Sequence, residues 1–141
     1  MGFVSRDGSS RLEYADTIHF NVGKLGSPTL GTPGTPTPSA LSVFGQMHAA
    51  NPMRIAVAHI HLIEAGSGGS ITMELYRRRS GVFTLLGSWS LDAAAGDYAT
   101  AGLVPATESL RGLERGDYLF AQATAVQSGG SDGLTVDVHF G

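Results

Sequence analysis

The chain has 141 residues, 42% of them hydrophobic and only 15% charged, with a net charge of −3 and no cysteine. This length favours one domain and is enough to bury a sizeable core. The lack of cysteine excludes disulfides and thiolate metal sites, and the slightly acidic balance gives no reason to expect nucleic acid, which calls for a clustered positive face.

In chain order, the opening "MGFVSRDGSS" has no apolar run of the kind a secretory signal needs. Ile18, Phe20 and Val22 then alternate with Thr17, His19 and Asn21, the period of a half-buried strand. Residues 25–40, "LGSPTLGTPGTPTPSA", place Pro28, Pro33, Pro36 and Pro38 among glycines with almost nothing to bury. Proline removes backbone donors and glycine raises the entropy of ordering, so this stretch is excluded as a central strand. The expectation is an extended arm ordered against a neighbouring subunit, with these four prolines as partner contacts. Residues 1–53 are thus read as an N-terminal strand and arm, and residues 54–141 as a β-sandwich core, one domain overall.

Residues 54–64 are apolar on both faces, like a strand covered on two sides. Their most apolar window holds two histidines and is too short to span a bilayer, so no membrane is expected. The following "EAGSGGS" reads as a hairpin loop, predicting that residues 54–64 and 70–78 pair antiparallel. His59 and His61 would share one face, about 6.6 Å apart at ~3.3 Å per residue. Two imidazoles so placed can share a metal, with His139 of suitable parity as a third ligand and His48 also available. His-x-His followed by Glu resembles the cupin metal motif, but only Leu62 and Ile63 separate His61 from Glu64. In a regular strand Glu64 then faces away from His61. No metal and no cofactor are therefore expected. The histidines are placed instead beside Thr72, Glu74 and Tyr76 on the hairpin's outer face, in cross-strand pairs contributing about 0.2–1 kcal/mol.

Arg77, Arg78 and Arg79 in "YRRRSG" form the strongest positive run. Guanidinium groups grip acidic partners bidentately, and charges at a hairpin end also discourage edge-to-edge pairing. Phe83, Leu85, Gly87, Trp89 and Leu91 form one alternating apolar series, which places Trp89 in the core rather than in a sugar platform with Tyr76 and Tyr98. "ATESLRGLERG" holds one helical turn capped by Thr107. Arg115-Gly116-Asp117 matches an integrin tripeptide, yet Gly-Asp before an apolar strand is ordinary turn chemistry. Leu134, Val136, Val138 and Phe140 alternate with Thr135, Asp137 and His139 as the last strand. Short strands between Gly-rich turns indicate an all-β sandwich or barrel. No nucleophile elbow or phosphate loop is present, so no catalysis is expected.

Two stretches, "RIAVAHIHLIEAGSGGSITMELYRRRSGVFTLLGSWSL" and "SLRGLERGDYLFAQATAVQSGGSDGLTVDVHFG", carry a resemblance covering residues 54–141. This order of strands and turns resembles small β-sandwich structural proteins of tailed-phage virions: capsid decoration (cement), head-fibre, and tail or baseplate proteins. The resemblance implies an antiparallel, jelly-roll-like sandwich and a non-enzymatic protein on the capsid exterior, assembled in the host cytoplasm. Its partners would be the major capsid protein and its own copies, as a homotrimer, without nucleic acid. The alternatives from other classes are a cupin-like metalloprotein and a carbohydrate-binding sandwich.

Overall fold

The computed structural model describes residues 29–141 in full and, within residues 1–28, the backbone of three short strands. The elements are β1 (Phe3–Val4), β2 (Leu12–Glu13), β3 (Thr17–Phe20), α1 (Pro38–Phe44), β4 (Gln46–His48), β5 (Met53–His61) and β6 (Ser70–Arg79). There follow β7 (Val82–Asp92), a 3-10 turn (Ala93–Ala95), β8 (Thr100–Leu103), α2 (Glu108–Arg111), β9 (Gly112–Leu113), β10 (Tyr118–Ala125) and β11 (Thr135–Phe140). β1 and β2 pair only with each other. The rest form two antiparallel sheets, ordered β3-β11-β5-β8, with β9 added to β5, and β4-β10-β6-β7. From β3 to β6 successive strands alternate between the sheets, and β8, β10 and β11 alternate again. That is the jelly-roll form of an antiparallel sandwich, and of the sandwich and barrel that the turn spacing allows it is the sandwich.

The core lies between the sheets: Ile55, Ala58, Ile60 and Val136 from one meet Ile71, Met73, Leu75, Leu119 and Ala121 from the other. Trp89 is part of this core, as its alternation predicts. β6 and β7 are joined by the two-residue turn Ser80-Gly81, both at positive φ (51° and 79°). This is the geometry whose twist matches a hairpin.

The predicted pairing of residues 54–64 with 70–78 does not occur. β5 pairs with β11 and β8, whereas β6 pairs with β10 and β7, so "EAGSGGS" crosses from one sheet to the other. Distant backbone pins this loop: the Gly66 amide donates to Gln127 Oε1 (2.7 Å), the Ser67 amide to Ser128 O (2.7 Å), and the Ser128 amide back to Gly68 O (2.9 Å). Gly66 packs so tightly on Ser128 O that a Cβ would overlap it. His59 and His61 consequently lie on the opposite side of the molecule from Thr72, Glu74 and Tyr76, with the whole core between.

The alternation of residues 83–91 is also interrupted. Gly87 pairs with Leu75 but Leu85 with Tyr76, leaving Leu86 as an extra residue in β7. This β-bulge turns Leu86 inward, where it is buried, and turns Phe83 and Leu85 to the outer face.

The Pro/Gly segment differs most from expectation. Gly31 donates its amide to Ala123 O of β10 (2.8 Å), and the chain then crosses the outer face of β10 and β6. Residues 38–44 form a helix, α1, with Pro38 in its first turn, where a missing N–H costs nothing. α1 buries Ala40, Leu41 and Phe44. The boundary expected at residue 53 is therefore not a boundary in packing: Phe44, Met47 and Ala49 belong to the same core cluster as the strands after it.

Candidate functional site

Both outer faces carry side chains at strand positions that alternate with the core. On the β4-β10-β6-β7 sheet these are Glu74, Tyr76 and Arg78 of β6, Tyr118, Phe120 and Gln122 of β10, and Phe83 of β7. One half of this face is a polar latch. Buried Gln122 accepts from the Thr37 amide at Oε1 (2.9 Å) and donates through Nε2 to Thr35 O (3.0 Å) and Glu74 Oε1 (2.9 Å). Glu74 in turn accepts the Gly34 amide at Oε2 (2.8 Å) and the Tyr76 hydroxyl at Oε1 (2.8 Å). Burial first, then the bond and charge of Glu74, push the Tyr76 phenol well above its ordinary range. Pro33 and Pro36 thus sit in a segment bound to its own sheet, and Pro28 lies outside the described residues.

The other half of the face is aromatic. Phe83 and Phe120 ring centroids lie 5.6 Å apart, and Tyr118 stacks near Phe120 at 6.1 Å with a 27° interplanar angle. Together with Leu41 of α1, Gln46 and Arg78, these rings line an open groove of about 550 Å³, with Pro38 at its wall. The Arg78 guanidinium lies over the Phe83 ring, 5.9 Å from its centroid.

The three consecutive arginines have three different fates. Arg77 follows the inward parity of β6 and is buried, donating from Nη1 to Ser109 O (3.0 Å) and Gly112 O (2.8 Å) around α2. Arg79 grips Asp117, with Nε at 3.0 Å from Oδ1 and Nη2 at 2.7 Å from Oδ2, and also pairs with Glu114. Burial pushes the Asp117 carboxyl up, but the Arg79 hydrogen bonds, the Glu114 amide and the two arginine charges outweigh it and hold it below the ordinary range. Asp117 is therefore enclosed inside a turn, closing the Arg-Gly-Asp tripeptide on itself. Arg78, half-buried over the Phe83 ring, is the one of the three that faces the groove, and it has no carboxylate partner among the described residues.

On the β3-β11-β5-β8 sheet, His59 and His61 share a face, as their spacing predicts, and the pairing of β11 with β5 brings His139 beside them. The His59 ring centroid is 5.8 Å from that of His61 and 5.1 Å from that of His139. His61 Nδ1 lies 2.9 Å from Thr100 Oγ1, and its Nε2 lies 2.6 Å from Asp137 Oδ2, close but poorly aligned for a hydrogen bond. His19 of β3 occupies the register position opposite Asp137. Burial, then the neighbouring His139 and His61, lower the His59 pKa, with Asp137 opposing. Among the described residues no group of three or more His, Asp or Glu is arranged to hold a metal ion. His48 stands apart from the cluster, against Tyr118 on the other sheet.

The sugar platform of Trp89, Tyr76 and Tyr98 is not assembled: Trp89 and Tyr76 are buried, while Tyr98 projects from the loop after β7. The groove around Phe83 was not legible because the Leu86 bulge reverses the face on which Phe83 lies. Among the described residues no helix is long and apolar enough to cross a membrane. Fold and faces define a jelly-roll β-sandwich with half of one outer face covered by its own Pro/Gly segment and the other half an open aromatic groove. No protein-family model matches the chain, and no curated protein matches it.

Proposed function

We propose that the chain is a structural component of a tailed-phage virion, acting as a capsid decoration protein that binds the major capsid lattice alongside its own copies. The observation that carries this reading is the strand order. The two stretches that resemble virion sandwiches fall on β5 to β7 and on α2 to β11, and they supply most of both jelly-roll sheets. Two further features support a building block. Most of the strong polar groups tie the chain to itself, as Glu74, Gln122, Arg77, Arg79 and Asp117 do. Exposed Ile63, Tyr98, Val104 and Val82 leave apolar contacts for neighbours, and many small contacts made at once give avidity without one strong site.

Sedimentation with expanded heads assembled without this protein tests the proposal. Saturable occupancy at a fixed ratio to the major capsid protein is the expected result. Occupancy of tails but not heads would replace it with the tail or baseplate reading, and occupancy of neither would overturn both.

A further inference from the structure

The aromatic groove holds an arginine in a setting of its own among the described residues. Arg54 pairs with Glu108, Arg79 with Asp117 and Glu114, Arg111 with Glu108, and Arg77 caps backbone carbonyls, while Arg115 stands on the exposed turn before β10, away from any aromatic ring. Arg78 instead stands over an aromatic ring, inside a groove otherwise lined by Leu41, Phe83, Tyr118 and Phe120. The ring face fixes the guanidinium by a cation–π contact and leaves its N–H edges unused. Such an edge matches a carboxylate in a planar, two-point geometry.

The remaining walls specify what should carry that carboxylate. Phe83, Phe120 and Tyr118 offer flat apolar surface to C–H groups, while exposed Gln46 and the phenol-bearing Tyr118 add donors and acceptors to the lining, as does Ser42, whose hydroxyl donates to Ser39 O and can still accept. A volume of about 550 Å³ falls within the usual range of small-molecule sites. A ligand with an apolar face, a hydroxylated rim and one carboxylate satisfies all three features, and an acidic saccharide unit has that construction.

We propose that this groove binds a carboxylate-bearing saccharide, a uronate- or sialate-type unit, with Arg78 on the carboxylate, the aromatic rings on the sugar face and Gln46 on its hydroxyls. This goes beyond the virion reading, since it needs no capsid: the purified protein alone should bind.

The test is an array of acidic saccharides beside their neutral counterparts, followed by calorimetric titration of the best binder. Saturable binding of an acidic unit is expected, weakened roughly tenfold or more by Arg78→Gln, because a charge-assisted bond is lost. Gln46→Ala, at an exposed position on β4, is a second variant that should weaken binding while leaving the melting temperature unchanged. No acidic binder on the array, equal binding of the neutral counterpart, or equal binding of benzoate, which has the ring and carboxylate without the hydroxyls, would each overturn the proposal. So would an Arg78→Gln variant that melts like the parent and binds as well. Capsid occupancy is scored separately, so either conclusion can fail alone.

Discussion

Gln122 shows how much of this molecule rests on single buried polar groups. Its amide oxygen accepts the Thr37 amide and its nitrogen donates to Thr35 O and Glu74, with Thr32 O also at 3.3 Å, so both ends of the group are engaged. Gln122→Ala would remove one of three donors from buried Glu74, which keeps the Gly34 amide and the Tyr76 hydroxyl, and would leave Thr35 O without its donor and the Thr37 amide without its acceptor. Orphaned buried groups cost more than the bonds themselves contribute, so a loss of about 2–4 kcal/mol is expected in urea unfolding. Amide exchange should rise first at Gly34 and Thr37. Gly31 gives an internal control, because a Cβ there would overlap the Gln122 amide. Gly31→Ala should destabilise the parent more than it destabilises Gln122→Ala. Additive effects in that double-mutant cycle would disprove the contact.

At the level of elements, β5 and β11 set three imidazoles on one outer face, and this makes stability depend on pH. Burial first, then the neighbouring His139 and His61, lower the His59 pKa in the folded chain from the ordinary imidazole value of 6.5 that it has when unfolded. As pH falls through that interval the unfolded state takes up a proton that the folded state declines, so stability present above the unfolded value is lost on acidification. His61, His139 and Asp137 face His59 from β5 and β11, Thr100 and Gly102 flank it from β8, and His19 lies at the β3 register position. Melting temperatures taken from about pH 7 to about pH 5 should fall less steeply in His59→Gln than in the parent. Identical slopes would sink the assignment. These same strands show what the sequence could and could not reveal. Periodicity tells which side chains share a face, so the shared face of His59 and His61 and the outward parity of His139 were legible, while their meeting was not. It does not name a strand's partner: Ile60 and Leu62 point at Ile71, Met73 and Leu75 whether the strands share a sheet or face each other across the core. The crossover was fixed by the bonds of Gly66 and Ser67 to Gln127 and Ser128, some sixty residues away in sequence. One inserted residue, Leu86, likewise exchanged the faces of Phe83 and Leu85, which no counting of alternate positions anticipates.

For the whole molecule, composition suggested a division that packing rejects. Residues 29–53 look like an arm with little to bury, yet they contribute α1 and β4, the latter paired along Tyr118, Leu119 and Phe120 of β10. Residues 54–141 alone would expose the edge of β10 and lose Leu41, Phe44 and Met47 from buried positions. At roughly 1.5–3 kcal/mol for each fully buried large side chain, those three contribute on the order of 5–8 kcal/mol before the entropy of ordering is subtracted. A whole domain is stable by only about 5–15 kcal/mol, so this loss consumes most of the margin. The piece 54–141 is therefore expected to lose the near-ultraviolet dichroism of Trp89, to bind a hydrophobic dye and to melt without a cooperative transition. The full chain should show the opposite on all three measures. A sharp melt of the piece within a few degrees of the full chain would restore residues 1–53 as a separable arm and reduce α1 and β4 to attachments.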